Sequence, residues 1–272
     1  MTNKLGILVA GANGRMGKNI IRMVVEDPKT MLVGATDHPE SSVQGADAGL
    51  NAGTQVASVT ISPDLERSLQ KAHGAVIIDF SSPETTVKNV ERAKEFKTPL
   101  VIGTTGFSEE QREFILNAAE SLPIVLTPNM SVGMNLVFEM VEQAARILND
   151  DYDIEVFEAH HRRKKDSPSG TANKLAQIIC EATGRDYPED LCFERNGIVG
   201  ERTKKEIGMQ VLRGGDIVGE HTVFFCGEGE RIEIKHVANR RTTFAAGAIR
   251  AAKWVATQKP GLYTMKNVLG LA

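Results

Sequence analysis

A chain of 272 residues has room for roughly two domains of about 150 residues each, and a hydrophobic share of 41% supplies a core. A net charge of -3 excludes a whole-molecule field that would draw in nucleic acid or an anionic membrane, and no apolar run approaches the ~20 residues of a membrane span. Cys180, Cys192 and Cys226 are odd in number and widely spaced, which suits neither a disulfide framework nor a zinc site; buried free thiols are expected. Met1-Thr2-Asn3-Lys4 leads straight into an apolar strand, without the longer apolar region or cleavage site of a signal peptide, so a cytoplasmic location is expected.

The first half alternates strand and helix signals. Leu5 to Ala10 is a short apolar run that ends at Gly11; Met16, Ile20 and Val24 then recur at helical spacing, and Pro28 ends that helix. Met31 to Ala35 reads as a second strand and Ala75 to Phe80 as a third. Ser82-Pro83-Glu84 opens a helix, because proline is tolerated in a first turn. Leu100 to Ile102 runs into Gly103-Thr104-Thr105-Gly106, Ser108 with Gln111 forms a capping box, and Ile124 to Leu126 is closed by Pro128-Asn129. Continuous apolar strands separated by helices mean a parallel sheet covered on both faces.

Beyond Ser131 the pattern changes. A helix from Asn135 to Leu148 leads to a strand over Asp153 to Glu158, and a second helix follows Ser169-Gly170-Thr171. Three separated strand-like stretches come next: Gly208 to Leu212, His221 to Phe225 and Arg231 to His236. In Arg231-Ile232-Glu233-Ile234-Lys235, isoleucine alternates with charge at the period of a half-exposed strand. The expected fold class is therefore α/β, an N-terminal Rossmann-type parallel sheet with a second α+β domain of mixed or antiparallel sheet. An alanine-rich helix, Thr242 to Val255, is expected to return to the first domain.

Three features carry chemistry. In Gly11-Ala12-Asn13-Gly14-Arg15-Met16-Gly17 a glycine-rich turn joins a strand to a helix, which lets a pyrophosphate approach the backbone and face the amides of the helix N-terminus. The spacing is G-x-x-G-x-x-G, weak alone, but Asp37 lies about 20 residues beyond Gly17, where an acid holds a ribose hydroxyl. Small-residue loops follow three strands, Phe80-Ser81-Ser82, Gly103-Thr104-Thr105 and Thr127-Pro128-Asn129-Met130; such strand ends line the ligand crevice of an open parallel sheet and favour a nicotinamide site. Lastly, His160-His161-Arg162-Arg163-Lys164-Lys165-Asp166-Ser167-Pro168-Ser169-Gly170-Thr171 places six potentially cationic residues ahead of a helix N-terminus. Gly170 and Thr171 offer amides and a hydroxyl to a carboxylate, histidine is the usual general acid near neutral pH, and lysine donates protons or pairs with anions. Such a run is also what a solvated face looks like. Adjacent histidines diverge on a strand, and no third ligand joins them at a suitable spacing, so no metal is expected.

The string Glu158-Ala159-His160-His161-Arg162, with Lys164, Asp166 and Pro168-Ser169-Gly170-Thr171-Ala172, resembles the 4-hydroxy-tetrahydrodipicolinate reductase (dihydrodipicolinate reductase) family of the bacterial lysine and diaminopimelate pathway. Gly14-Arg15-Met16-Gly17, Asp79-Phe80, Gly103 to Phe107, Pro128 to Ser131 and Val218-Gly219-Glu220-His221-Thr222 support it, and the likeness covers essentially the whole chain. The resemblance implies that His160 is the proton donor and acceptor and that Lys164 supplies a proton or positive charge. It implies that His161, Gly170 and Thr171 hold substrate carboxylates. Gly11, Ala12, Asn13, Gly14, Arg15 and Met16 would be the pyrophosphate loop, with Asp37 and His38 at the adenosine ribose; Gly103, Thr104, Thr105, Thr127, Pro128, Asn129 and Met130 would lie around the nicotinamide. Residues 1–130, completed by 241–272, would form the dinucleotide-binding domain, and 131–240 the substrate-binding and oligomerisation domain of a homotetramer.

The implied reaction is the reduction of a cyclic imine bearing two carboxylates. The hydroxylated ring loses water, hydride reaches the ring carbon conjugated to the imine, and the enamine is protonated. Two positions depart from the family's pattern: His38 stands where arginine often holds the 2′-phosphate of NADPH, and Ser82 where some members have arginine. NADH is therefore expected to serve at least as well as NADPH. Two rival readings are another two-domain amino-acid dehydrogenase, such as an aspartate or homoserine dehydrogenase, and a Rossmann protein that senses NAD(P) without turnover. The cationic string argues against both.

Overall fold

The computed structural model describes residues 4–271. Met1, Thr2 and Asn3, which open the N-terminal stretch read above, and Ala272 lie outside the described residues. In chain order the elements are β1 (Leu5–Ala10), α1 (Arg15–Glu26), β2 (Thr30–Thr36), α2 (Ala48–Asn51), β3 (Ile61–Ser62), α3 (Leu65–Lys71), β4 (Val76–Asp79) and α4 (Pro83–Phe96). There follow β5 (Leu100–Ile102), α5 (Glu109–Ala119), β6 (Pro123–Leu126), α6 (Val132–Leu148), β7 (Asp153–His160), α7 (Gly170–Thr183), β8 (Leu191–Cys192) and β9 (Ile207–Arg213). The last are β10 (Gly219–Gly227), β11 (Glu230–Ala238), α8 (Thr242–Val255), β12 (Gly261–Tyr263) and α9 (Met265–Leu269). The chain divides into two compact units: the first runs to Val132 and resumes at Arg241, and the second is Gly133–Arg240.

The first unit is built on a seven-stranded sheet in the order β12-β6-β5-β4-β1-β2-β3, with every pair parallel. Its apolar strands send alternate residues to opposite faces. Leu8, Ile77, Leu100, Ile102 and Ile124 meet Leu69, Val90 and Ile115 of α3, α4 and α5. Ile7, Val9, Val76, Ile78 and Val101 meet α1 and the alanine-rich α8 on the other face. Each such aliphatic side chain contributes about 1.5–3 kcal/mol by leaving water. The order reverses direction at β1, which lies between β2 and β4, and at such a point the loops beyond the strand ends part to make a crevice. The two loops are tightly joined at their roots. Phe80 N donates to Ala10 O at 3.1 Å, Gly11 has φ +81°, and a Cβ there would lie 2.5 Å from Phe80 O. A Cβ on Gly17 would lie 2.1 Å from Gly11 O, so the helix closes onto the turn only because position 17 has no side chain.

The second unit holds a five-stranded mixed sheet in the order β11-β10-β7-β9-β8. Strand β7 runs antiparallel to β10 and parallel to β9. Ile154, Val156, Ile207, Met209, Val223 and Phe225 form the inner face, packed on Met134, Phe138 and Val141 of α6 and Leu175 and Ile179 of α7.

Three details differ from expectation. Strands β3, β8 and β12 and helices α2, α3 and α9 have no counterpart in the sequence reading; the strands are runs of two and three residues, which carry no periodicity and form by pairing with a sheet edge already present. On β11, an edge strand with no neighbour on one side, Ile234 is buried but Ile232 is exposed. Of the thiols only Cys180 is buried; Cys192 and Cys226 are half-buried because they sit at strand ends near the rim of the sheet.

Candidate active site

The N-terminus of α1 is open. Its N-cap is Gly14, with no side-chain cap and no acidic residue in the first turn, whereas α3, α4, α5 and α7 are capped by Asp64, Ser82, Ser108 and Ser169. The first-turn amides and the positive end of the helix dipole are thus left to an anion. Asp37 is the first residue beyond β2, and its carboxylate accepts from Asn13 N at 2.5 Å and His38 N at 2.8 Å. It therefore binds the tip of the glycine turn to the end of β2. His38 Nδ1 accepts from Glu40 N at 3.2 Å, a bond that only an imidazole with a bare Nδ1 can make. A cleft of about 900 Å³ includes Gly11, Gly14, Asp37, His38, Ser82, Lys88 and Arg92 in its lining. Residues of this character fit a dinucleotide: an uncapped helix end for the pyrophosphate and a carboxylate for ribose hydroxyls.

The cleft lining does not include Gly103–Thr105 or Thr127–Met130. Those loops are held from behind. Asp79, fully buried at the end of β4, accepts from Ser81 N (2.9 Å), Ser81 Oγ (2.6 Å), Thr104 Oγ1 (3.2 Å) and Asn89 Nδ2 (2.8 Å). Burial pushes its carboxyl up, against those hydrogen bonds. One carboxyl thereby joins the loops that follow β4 and β5. Thr127 Oγ1 donates to Asn129 O at 3.2 Å, and a Cβ at Gly247 of α8 would lie 1.7 Å from Met130 O, so α8 backs this loop at contact distance.

The second unit gathers a polar cluster where β7 ends. Side chains of one strand face alternate ways, so Ile154, Val156, Glu158 and His160 share a face. In register, His221 of β10 stands opposite Glu158 and Arg213 of β9 opposite His160. The inner face thus changes from apolar to ionic along a single strand. Glu158, 1% exposed, meets His160 Nδ1 at 2.5 Å through Oε2. Arg213 grips both its oxygens at 2.8 Å, and Ser169 N donates to Oε1 at 2.9 Å. Burial would raise the Glu158 carboxyl, but its bonds to His160, Arg213 and Ser169 outweigh that and hold it down at about 2. Ser169 Oγ caps α7 by accepting from Ala172 N at 3.2 Å and meets His221 Nε2 at 3.1 Å. The rings of His160 and His221 stack edge to face with centroids 5.2 Å apart. Desolvation, then the neighbouring His160, pushes His221 down to about 3, so it is neutral across the physiological range.

Among the residues singled out from sequence, His160 closes β7, His161 is buried just beyond it, and Gly170 and Thr171 open α7, where backbone N–H groups point out of the helix. Lys164 lies in the intervening turn and pairs with Asp166 at 2.8 Å. Arg162, Arg163 and Lys165 are exposed; that part of the cationic run is a solvated face. Sequence reasoning gave no role to Glu158, Arg213, Ser169, His221 or Asp79. Glu158 had a signal, since it lies two residues before His160 on a strand. Arg213 and His221 reach it only through register, which no local pattern reveals. Among the described residues no group of three or more histidine, cysteine or acidic side chains is arranged to hold a metal ion, and no helix is long and apolar enough to cross a membrane.

A family model described as dihydrodipicolinate reductase, N-terminus, matches residues 5–130, and one described as dihydrodipicolinate reductase, C-terminus, matches residues 133–269. The chain is 52% identical over 265 residues to the 4-hydroxy-tetrahydrodipicolinate reductase of Geotalea uraniireducens, covering 97% of this chain and 98% of that one. It is 49% identical to the enzyme of the same name from Syntrophotalea carbinolica, with the same coverage. Among solved structures it is similar to a dipicolinate-bound dihydrodipicolinate reductase from Paenisporosarcina sp. TG-14, with a TM-score of 0.77, 25% identity, and coverage of 97% of this chain and 99% of that one. An amine dehydrogenase from Mycobacterium smegmatis shares the fold at 14% identity and a TM-score of 0.66, over 96% of this chain and 94% of that one.

Proposed function

This chain belongs to the dihydrodipicolinate reductase family, and from that premise we propose that it reduces 4-hydroxy-tetrahydrodipicolinate to tetrahydrodipicolinate in lysine and diaminopimelate biosynthesis, as a cytoplasmic enzyme. When bound, a reduced nicotinamide nucleotide supplies the hydride. The first unit's residues position it: the uncapped start of α1 for the pyrophosphate, Asp37 for the adenosine ribose, and the loops Gly103–Thr105 and Thr127–Met130 around the nicotinamide. The second unit's residues handle the dicarboxylate. Gly170 and Thr171 at the head of α7, with His161, take one carboxylate, and Lys164 adds positive charge for the other, exchanging its partner Asp166 for substrate. His160 carries the proton that quenches the enamine.

The observation that carries this reading is the Glu158 cluster. A single buried carboxylate holds the candidate proton donor His160 and the N-cap of the candidate carboxylate-binding helix together. An anion-sensing or nucleotide-sensing protein needs no proton donor beside an anion site.

NADH should serve at least as well as NADPH, because Asp37 repels a 2′-phosphate and His38, whose Nδ1 accepts from Glu40 N, replaces the arginine that would pair with one. Lys88 and Arg92 line the same cleft, though Arg92 pairs with Glu95 at 2.9 Å, so the expectation is bias rather than exclusion. Exposed Leu212 and Val237 lie in one register row on the outer face of the second sheet, the face through which copies would assemble into a homotetramer. The deciding experiment generates the substrate in situ from pyruvate and aspartate semialdehyde and follows the loss of NADH and of NADPH. Oxidation that requires the condensation product supports the proposal. Oxidation with neither nucleotide refutes it.

A further inference from the structure

Removing a carboxylate from water is costly unless its acceptor sites are filled. Those of Glu158 are filled from three segments: His160 on its own strand, Arg213 at the end of β9, and Ser169 at the start of α7. Arg213 is itself pinned, donating to Asp166 O at 2.8 Å and Leu212 O at 2.9 Å. A carboxylate gripped by both arms of a guanidinium cannot turn, so Oε2 stays directed at His160 Nδ1. An ionised carboxylate only accepts, and the bonds from His160, Arg213 and Ser169 keep Glu158 ionised near neutral pH. The hydrogen in the His160–Glu158 bond therefore sits on Nδ1, and the hydrogen bond at one ring nitrogen decides what the other does. A separate observation concerns that other nitrogen. A Cβ on residue 219 would lie 3.1 Å from His160 Nε2, and position 219 is glycine.

We propose that Glu158, clamped by Arg213, is the positioning residue that keeps the His160 Nδ1–H directed at its carboxylate in both the neutral and the cationic imidazole, so that Nε2 is the atom that takes up a proton from solvent and, from the imidazolium, gives it to the enamine carbon. Gly219 keeps the space beside that nitrogen open. Through Ser169 N, the same carboxylate holds the proton donor at a set distance from the turn that opens α7. The inference rests on the reading that His160 donates the proton in the reduction.

The test begins with the wild-type full-length protein. Histidine-selective 15N labelling and two-bond 1H–15N correlation, with His160 assigned by its absence from His160→Gln, should show a protonated Nδ1 and a bare Nε2 in the neutral form; the opposite tautomer overturns the proposal without any variant at Glu158. Steady-state kinetics follow. Glu158→Gln should lower kcat on the order of 10²-fold while the substrate KM stays within about threefold. Glu158→Asp, which retains the charge, should recover part of the loss. Gly219→Ala leaves the Glu158–Arg213 pair intact and crowds only Nε2, and should lower kcat about tenfold. If Glu158→Gln does not fold, the tautomer and Gly219→Ala decide. His160→Gln separates the two failures. If it retains wild-type kcat, the reading of His160 is wrong. If it loses kcat while Glu158→Gln and Gly219→Ala do not, only this proposal is.

Discussion

Under the proposed reading, Asp37 and His38 are the pair of adjacent side chains that would set the nucleotide preference. The carboxylate is fixed by backbone donors from Asn13 and His38, so it cannot move aside for a 2′-phosphate. His38→Arg should shift the ratio of kcat/KM values toward NADPH by about tenfold, the equivalent of one charged contact at ~1.4 kcal/mol. The wild type should use NADH at least as well as NADPH. Measuring both nucleotides near neutral pH checks this; an NADPH advantage of more than about threefold would mean that Lys88 or Arg92 already partners the phosphate. Asp37 could be picked out in the sequence because the acid follows the second strand at a set distance from the glycine turn, whereas His38 was picked out only through the family resemblance. Lys88 and Arg92 were not, since nothing in a helix sequence says which face lines a cleft.

At the scale of elements, α7 is where local rules and chemistry meet. Ser169 caps the helix by accepting from Ala172 N through its hydroxyl, and gives its backbone N–H to the Glu158 carboxylate. Ser169→Ala should cost about 1 kcal/mol of stability, the usual worth of an N-cap, and weaken dicarboxylate binding, both readable by calorimetry. Pyridine-2,6-dicarboxylate should compete with substrate, and its inhibition should weaken with salt because charge pairing contributes. Purely noncompetitive inhibition would place the anion site elsewhere. The caps at Ser82 and Ser108 and the helix Thr242–Val255 could be read directly, because capping and helical spacing are local signals. Strands β3 and β12 could not, because they exist only as additions to a sheet edge. The Glu158 cluster was half legible: its strand face was implied by the spacing to His160, but Arg213 lies 55 positions from Glu158 in the chain and arrives by strand register.

For the molecule as a whole, the polar cluster makes the second unit sensitive to acid. His221 is held down at about 3 from an ordinary 6.5, so between those values the unfolded chain binds a proton that the folded one does not, and stability falls as pH falls. Glu158, held down at about 2 from 4.5, has the same sign: its contribution is present above the unfolded value and is lost as pH falls through the folded one. Together they predict a loss of a few kcal/mol between neutral pH and about pH 3. Urea unfolding followed by circular dichroism should show the midpoint dropping steadily over that range, and a flat profile would mean that the histidine is not buried neutral in solution. The two-unit plan itself was visible in the change from continuous apolar runs to alternating ones near Ser131. The central claim is that this cluster serves proton delivery to a dicarboxylate rather than merely holding the second sheet together, and His160→Gln tests it most directly. With NADH and substrate generated in situ, kcat should fall by about 10²–10⁴ while the dissociation constant for NADH and the urea midpoint stay near wild type. A kcat within about threefold of wild type would contradict the account.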